Sequence, residues 1–440
     1  MNDENTKKSL GTEPYKGVRD FYPEDMFIQN HIFSTMRKAV ESFGYEEYAA
    51  SILEPTELYK AKSGEEIVNE QTYSFKDRGD RDVTLRPEMT PTVTRMVAAK
   101  RKELSFPLRW YSIPNLFRYE KPQRGRLREH YQLNVDLFGI SGINAEVEII
   151  STAHAVMKHF GAEERDFKIS INNRKILNFI LHDAFNLKEE DAYRITKLID
   201  KKKKISADEF KNQIQEILND QTDNFVLALN AQNIDELQKR LADKTSQEIN
   251  GFAETKELLE KLSSAGITNA VFDPTLARGF DYYTGIVFEV NDTDPANVRS
   301  LFGGGRFDEL LAVFDVEKVP AVGFGMGDVT IRDFLETHNL LPQFSSKTQI
   351  ALCPFDESSL AYTSNLAQTL RSKGINAVVD ITGRKVGDQI KWADKHAIPF
   401  IMVIGENEIK DKKFTVKELA TKTEASFANE QEIIDYLKRT

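Results

Sequence analysis

The sequence predicts an α+β protein in two parts: a larger N-terminal part with antiparallel strands and a mainly helical insertion, then a smaller C-terminal α/β part. Three observations lead there. First, residues 108–120 (LRWYSIPNLFRYE) and 130–140 (HYQLNVDLFGI) alternate around the polar, basic loop KPQRGRLRE, the pattern of an antiparallel strand pair. Second, residues from about 175 to 266 are charged, poor in Gly and Pro, and helical in pattern, and strand character resumes only with NAVFDP. Third, strand-like and helix-like pieces alternate beyond LPQFSSKTQ, which argues for a small parallel or mixed sheet flanked by helices. A chain of 440 residues exceeds what one core usually serves, so the expected boundaries are 1–345, with the insertion inside, and 346–440.

Element by element, residues 29–43 carry apolar residues near helical spacing until Gly44 stops them. Residues 82–102 pass from a short strand into a helix starting near Thr90, with Pro91 suited to its first turn. Residues 145–161 form a helix that ends at Gly161. FGGGRFDELLAVF and AVGFGMGDVTIRDFLETHNLL each read as a glycine-rich turn leading into a helix. In the C-terminal part the alternation runs IALCPF, LAYTSNLAQTLRSKG, NAVVDI, VGDQIKWADKHA, FIMVIG and a last amphipathic piece, EQEIIDYLKR.

Composition excludes several classes. No apolar run approaches the roughly 20 residues of a membrane helix. The N-terminus shows neither an apolar secretory core nor an Arg-rich transit bias, so the cytoplasm is the expected location. The single cysteine, Cys353, makes no internal disulfide, and seven histidines show no zinc-like spacing; no metal is expected on a dedicated ligand cluster. A net charge of −10 argues against non-specific nucleic-acid binding, which leaves RNA contact to local basic stretches at residues 118–130 and 197–204. For the lysine run a solvated helix end is the plainer reading. Neither glycine-rich segment has dinucleotide-fold spacing, and no P-loop occurs.

Arg118 and Arg126 flank the strand pair, and Arg278 opens a third strand in LARGFDYYTG. Arginine's planar fork pairs bidentately with phosphate or carboxylate oxygens, so these residues fit either a phosphoryl centre or a set of surface ion pairs. Glu88, Thr90, Gln132, Asp136, Tyr282 and Tyr283 supply acceptors and hydroxyls suited to a small zwitterion. Gln132, Asn134 and Asp136 share one strand face, which is either the floor of a polar site or a wet sheet face.

TLRPEMTPTV, FRYE, RGRLREHYQLNVDLFG, LARGFDYYTG and GGGRFD, in that order, resemble the signature segments of the histidyl-tRNA synthetase family, and the likeness spans nearly the whole chain. It implies a class II synthetase catalytic domain, an anticodon-binding C-terminal domain and a homodimer. The implied activity is conversion of histidine and ATP, with magnesium, to histidyl-adenylate, followed by transfer to the 3′ end of tRNA(His). By position, Arg118 holds the α-phosphate and the histidine carboxylate, Glu120 contacts adenine, Arg126 reaches the outer phosphates, and Arg278 is the catalytic arginine. Glu88, Thr90 and Gln132 take the amino group, Asp136 and Tyr283 read the imidazole with Tyr282 beside them, and Gln123 and Arg124 meet the tRNA acceptor end. Two positions depart from the family pattern. Ser51 stands where the dimer segment has proline, and Thr330 stands where the third motif ends in an arginine that packs on ATP. Arg332 lies two residues on, about 200° around a helix. The alternative is the synthetase-like regulatory subunit of ATP phosphoribosyltransferase, which binds histidine and charges no tRNA.

Overall fold

The structure, a computed structural model, describes residues 11–60, 71–202, 205–242, 250–277 and 282–439. The chain divides into two compact units, Met1–Leu341 and Pro342–Thr440.

The first unit is built on one large sheet. Its strands are β1 (Glu46–Glu47), β5 (Leu108–Ser112), β6 (Asn115–Phe117), β7 (Glu129–Phe138), β8 (Phe167–Asn173), β9 (Ala270–Phe272), β10 (Ile286–Asp292), β11 (Ser300–Arg306) and β12 (Ala321–Gly327). They run in the order β1-β5-β7-β12-β11-β10-β8-β9, with β6 also paired to β7. All pairings are antiparallel except the two at the ends, β1 with β5 and β8 with β9. A separate three-stranded sheet joins β2 (Leu53–Pro55), β4 (Asp82–Leu85) and β3 (Tyr73–Lys76).

Register assigns the two faces of the large sheet. Val135, Leu137, Val322, Phe324, Phe288 and Ile171 pack with the helices Pro23–Glu41 and Asn144–His159, which contribute Ile32, Met36, Ile149 and Val156 to one apolar core. A strand's period of two then sends Gln132, Asn134 and Asp136 to the opposite face. Between β8 and β9 the chain forms a run of helices, among them Glu189–Lys201, Ala207–Leu218, Thr222–Leu229 and Asn250–Ser264. Most of them close over a second core of Ile195, Phe210, Ile214 and Phe225.

The two glycine-rich segments are not turns. FGGGR lies in β11 and AVGFGMG forms β12, both central strands. Glycine inside a strand ordinarily weakens it and marks close approach by a neighbour. Here Asp136, Asn134 and Gln132 lie opposite Gly323, Gly325 and Gly327, while Gly303 and Gly305 lie opposite Gly325 and Gly323. A methyl group on Gly323 would collide with Asp136 Oδ1 and lie 2.6 Å from Val135 O; one on Gly325 would lie 2.9 Å from Gln132 Cδ. β12 carries glycine because polar side chains of β7 lie across it, and β11 because neighbouring backbone, Phe324 and the Tyr283 ring crowd Gly304 and Gly305, tertiary reasons invisible to local pattern.

The second unit is a five-stranded sheet in the order β14 (Ala377–Val379), β13 (Ile350–Pro354), β15 (Phe400–Ile404), β16 (Phe414–Glu418), β17 (Glu424–Phe427). The first three strands are parallel, as their helical crossovers require, and the last two form an antiparallel hairpin. That hairpin has no counterpart in the expected alternation, although Phe414 and Val416 alternate with polar residues and pack into the core of this unit. No helix among the described residues is long and apolar enough to cross a membrane.

Candidate active site

Two cavities open on the glycine face of the large sheet. The inner one, about 120 Å³, is lined by Glu88, Thr90, Arg118, Gln132, Asn134, Asp136, Tyr282 and Tyr283 over Gly303, Gly323 and Gly325. Each wall has a local cause. Thr90 opens the helix Thr90–Ala99, with Pro91 in its first turn, so Glu88 and Thr90 sit where the chain enters that helix. Arg118 follows β6, and its Nε donates to Pro87 O at 2.8 Å, which joins the two segments. The Tyr282 hydroxyl donates to Glu88 Oε2 at 3.3 Å. Tyr282 and Tyr283 precede β10 and are both nearly buried.

Asp136 is, with Glu88, one of the two buried acids of this cavity. It is 4% exposed, and Oδ2 has no hydrogen-bond partner among the described residues. Burial pushes its carboxyl up to about 8, because the charged form loses water and gains nothing in return. An orphaned buried acceptor aimed at a cavity implies a polar ligand, since leaving it unpaired costs roughly 1–3 kcal/mol.

The second cavity, about 220 Å³, shares Arg118, Gln132 and Gly325 with the first and adds Glu120, Gly125, Arg126, Leu127, His130 and Thr330. Arg126 Nε lies 3.3 Å from Glu120 Oε2. Both residues belong to the hairpin loop, which turns at Gly125 with φ +74°. His130 is held neutral: burial first, then the charges of Arg118 and Arg19, lower its ring to about 3. A neutral imidazole offers a flat, polarisable face beside the arginines.

An outer cavity of about 340 Å³ is lined by Gln123, Arg124, Gly125, Asn297, Val298, Arg299, Thr330 and Asp333. Arg124 donates from Nε and Nη2 to Asn297 Oδ1 at 3.2 and 3.0 Å. Thr330 lines both outer cavities and donates to Leu301 O at 2.7 Å. Arg332 lines none of the three. Its guanidinium pairs with Asp25 and Glu336, each at 3.1 Å, on another face of the helix Asp328–Thr337. Arg278 lies outside the described residues. Ser51 is exposed, and its hydroxyl accepts from Leu53 N at 3.2 Å.

The structure thus brings Glu88, Thr90, Gln132, Asp136, Tyr282 and Tyr283 around one cavity and Glu120 and Arg126 around the next, with Arg118 in both. Three further residues escaped the sequence reading. His130 extends the Gln132, Asn134, Asp136 row by one more step of two, a signal that was present. Asp328 is buried and accepts from Arg19, Gln29 and the backbone N–H of Tyr131, an anchor that joins segments far apart in sequence and leaves no local pattern. Arg299 is the third.

An antiparallel sheet that presents an arginine-bearing hairpin and a glycine-floored cavity, followed by a separate α/β unit, is the architecture of class II aminoacyl-tRNA synthetases. The family model described as histidyl-tRNA synthetase matches residues 17–329, and an anticodon-binding domain model matches residues 349–440. The histidine–tRNA ligase of Leptospira biflexa is 45% identical over 96% of each chain. The crystal structure of histidyl-tRNA synthetase from Nostoc sp. PCC 7120 superposes with a TM-score of 0.83 at 22% identity, covering 98% of this chain and 100% of that one. An ATP phosphoribosyltransferase regulatory subunit/histidyl-tRNA synthetase from Bacillus halodurans C superposes at 0.75 with 25% identity, covering 90% and 99%. The chain belongs to the histidyl-tRNA synthetase family.

Proposed function

We propose that this protein joins histidine to tRNA(His) in two steps. The observation that carries the reading is Arg118, which lines both the small polar cavity and the arginine-rich one, so a carboxylate in the first meets a phosphate of a ligand in the second. In the first step a histidine carboxylate oxygen attacks the α-phosphorus of ATP in line, the bond to the bridging oxygen breaks, and pyrophosphate leaves. Arg118 and Arg278 spread the charge on the transferring group, Arg126 holds the outer phosphates and Glu120 the adenine. Glu88, Thr90 and Gln132 orient the amino group. Asp136, with Tyr283 and Tyr282, reads the imidazole, whose N–H supplies the partner that the buried carboxyl otherwise lacks. In the second step the terminal ribose hydroxyl of tRNA attacks the adenylate carbonyl and AMP leaves.

Magnesium enters as part of the nucleotide substrate, held chiefly by its phosphates. Among the described residues no group of three or more His, Cys, Asp or Glu is disposed to bind a metal ion. Gln123 and Arg124 meet the tRNA acceptor end, for which Arg124 exchanges its bonds to Asn297. We assign catalysis to residues 1–345, with the insertion at about 175–266, and anticodon reading to 346–440, in a cytoplasmic homodimer. The anticodon-binding match over residues 349–440 favours this reading over that of a regulatory subunit. Histidine-dependent ATP–pyrophosphate exchange followed by charging of tRNA(His) tests it; histidine binding without exchange would refute it.

A further inference from the structure

We propose that Arg299, which lines the outer cavity beside the one that holds Arg126, is a binding residue for the outer phosphates of the nucleoside triphosphate, acting across Gly125, which lines both. The proposal deepens the reading above and rests on it. Arg299 ends the loop between β10 and β11, where the register carries a bulge: Val290 lies opposite Phe302, but Asn291 lies opposite Ser300, which leaves Leu301 as the extra residue. A bulge re-aims the neighbouring side chains, and here it turns Arg299 out of the strand toward the hairpin turn of the arginine loop. Its Cδ lies 3.3 Å from where a Cβ on Gly125 would stand, with Thr330 Cγ2 3.6 Å from the same point. The arginine therefore crosses the turn that carries Arg126, beside the short side chain of Thr330.

The loop is fastened at its middle. Asn297 donates to Asp292 Oδ2 at 2.7 Å and Thr337 Oγ1 at 3.0 Å, and it accepts from Arg124. Arg299 itself makes no hydrogen bond or ion pair among the described residues, although it is half-buried. Burial and then the charge of Arg126 lower its pKa, while Glu120 opposes them. The two adjoining cavities are lined by four guanidinium groups, those of Arg118, Arg124, Arg126 and Arg299, and two carboxylates, those of Glu120 and Asp333, so positive charge is in excess around them. An anion of more than one charge completes that set, and the outer phosphates are the part of ATP that carries it. The same geometry explains Thr330, since a longer side chain there would contest the space over Gly125 that Arg299 fills.

The test uses the purified full-length chain and compares Arg299→Ala and Arg299→Gln with wild type. In histidine-dependent exchange, KM for ATP and KM for pyrophosphate rise together by about 10- to 100-fold, while KM for histidine changes less than about two-fold. Affinity for a non-hydrolysable histidyl-adenylate analogue, which has no outer phosphates, stays at the wild-type value. Unchanged KM values for ATP and pyrophosphate overturn the inference, as does equal weakening of the analogue. A wild type that lacks exchange defeats the functional reading instead. Calorimetric titration with ATP then still decides Arg299, because equal affinity in wild type and Arg299→Ala rejects it.

Discussion

Asp136 holds its proton to about pH 8 because burial removes the water that would stabilise the charge. Its pKa in the folded chain lies above the unfolded value of about 3.9, so its contribution to stability is fully present below that value and is lost as pH rises to about 8. Asp136→Asn, which never ionises, should therefore match wild type near pH 4 and exceed it by at least about 1 kcal/mol at pH 8 in ligand-free denaturation. Equal stability at both pH values would contradict this. Asp136→Ala should lower kcat/KM for histidine by on the order of 10⁴, because a site built around a buried polar partner rejects what cannot pair with it. KM for ATP should change little, as measured by exchange. Gly323→Ala attacks the same residue from across the sheet: its methyl collides with Asp136 Oδ1. It should weaken histidine binding at least 10-fold, or about 1.4 kcal/mol, even where the chain folds, and calorimetry with histidine reports it.

At the scale of elements, β11 is tied to the helix Asn144–His159 by a buried pair in which Arg306 Nη2 donates to Glu146 Oε2 at 2.7 Å. Arg306 also donates to Ile140 O at 3.1 Å, so one side chain joins the end of a glycine-rich strand to the helix and the turn before it. Arg306→Ala strands Glu146 in the core and should cost about 3–5 kcal/mol in denaturant unfolding. A loss below 1 kcal/mol would show that water reaches the pair. The helix Asp328–Thr337 separates two roles along one turn: Thr330 faces the cavities while Arg332 reaches Asp25 and Glu336. Arg332→Ala should leave KM for ATP within about two-fold of wild type, since partly exposed ion pairs contribute little. A large rise would return the nucleotide to that side of the helix.

At the scale of the whole molecule, the proposed chemistry lies in the first unit and the anticodon-binding match in the second. Deleting residues 348–440 should preserve most adenylate formation and reduce tRNA charging by about 100-fold or more, as much as the loss of a few kcal/mol of RNA contact implies. Exchange and charging assays on the same preparation separate the two effects. Full charging by the shortened chain would refute the division of labour.

Residue order alone determined the fold class, the strand pair around the arginine loop, the helix at Thr90 and the polar row on β7, because each is written in local periodicity or in a contiguous motif. It also carried the family likeness, through segments whose residue types the chemistry requires. Tertiary structure decided what those segments do to one another. FGGGR and GFGMG read locally as turns, yet they are central strands: only the neighbouring strands show that glycine in β12 makes room for Asp136 and Gln132, and glycine in β11 for Tyr283 and adjoining backbone. Arg332 and Arg299 look equally available in sequence. One is consumed by Asp25 and Glu336 while the other lies over Gly125 with no ion pair among the described residues, a difference set by packing between segments that no local pattern records.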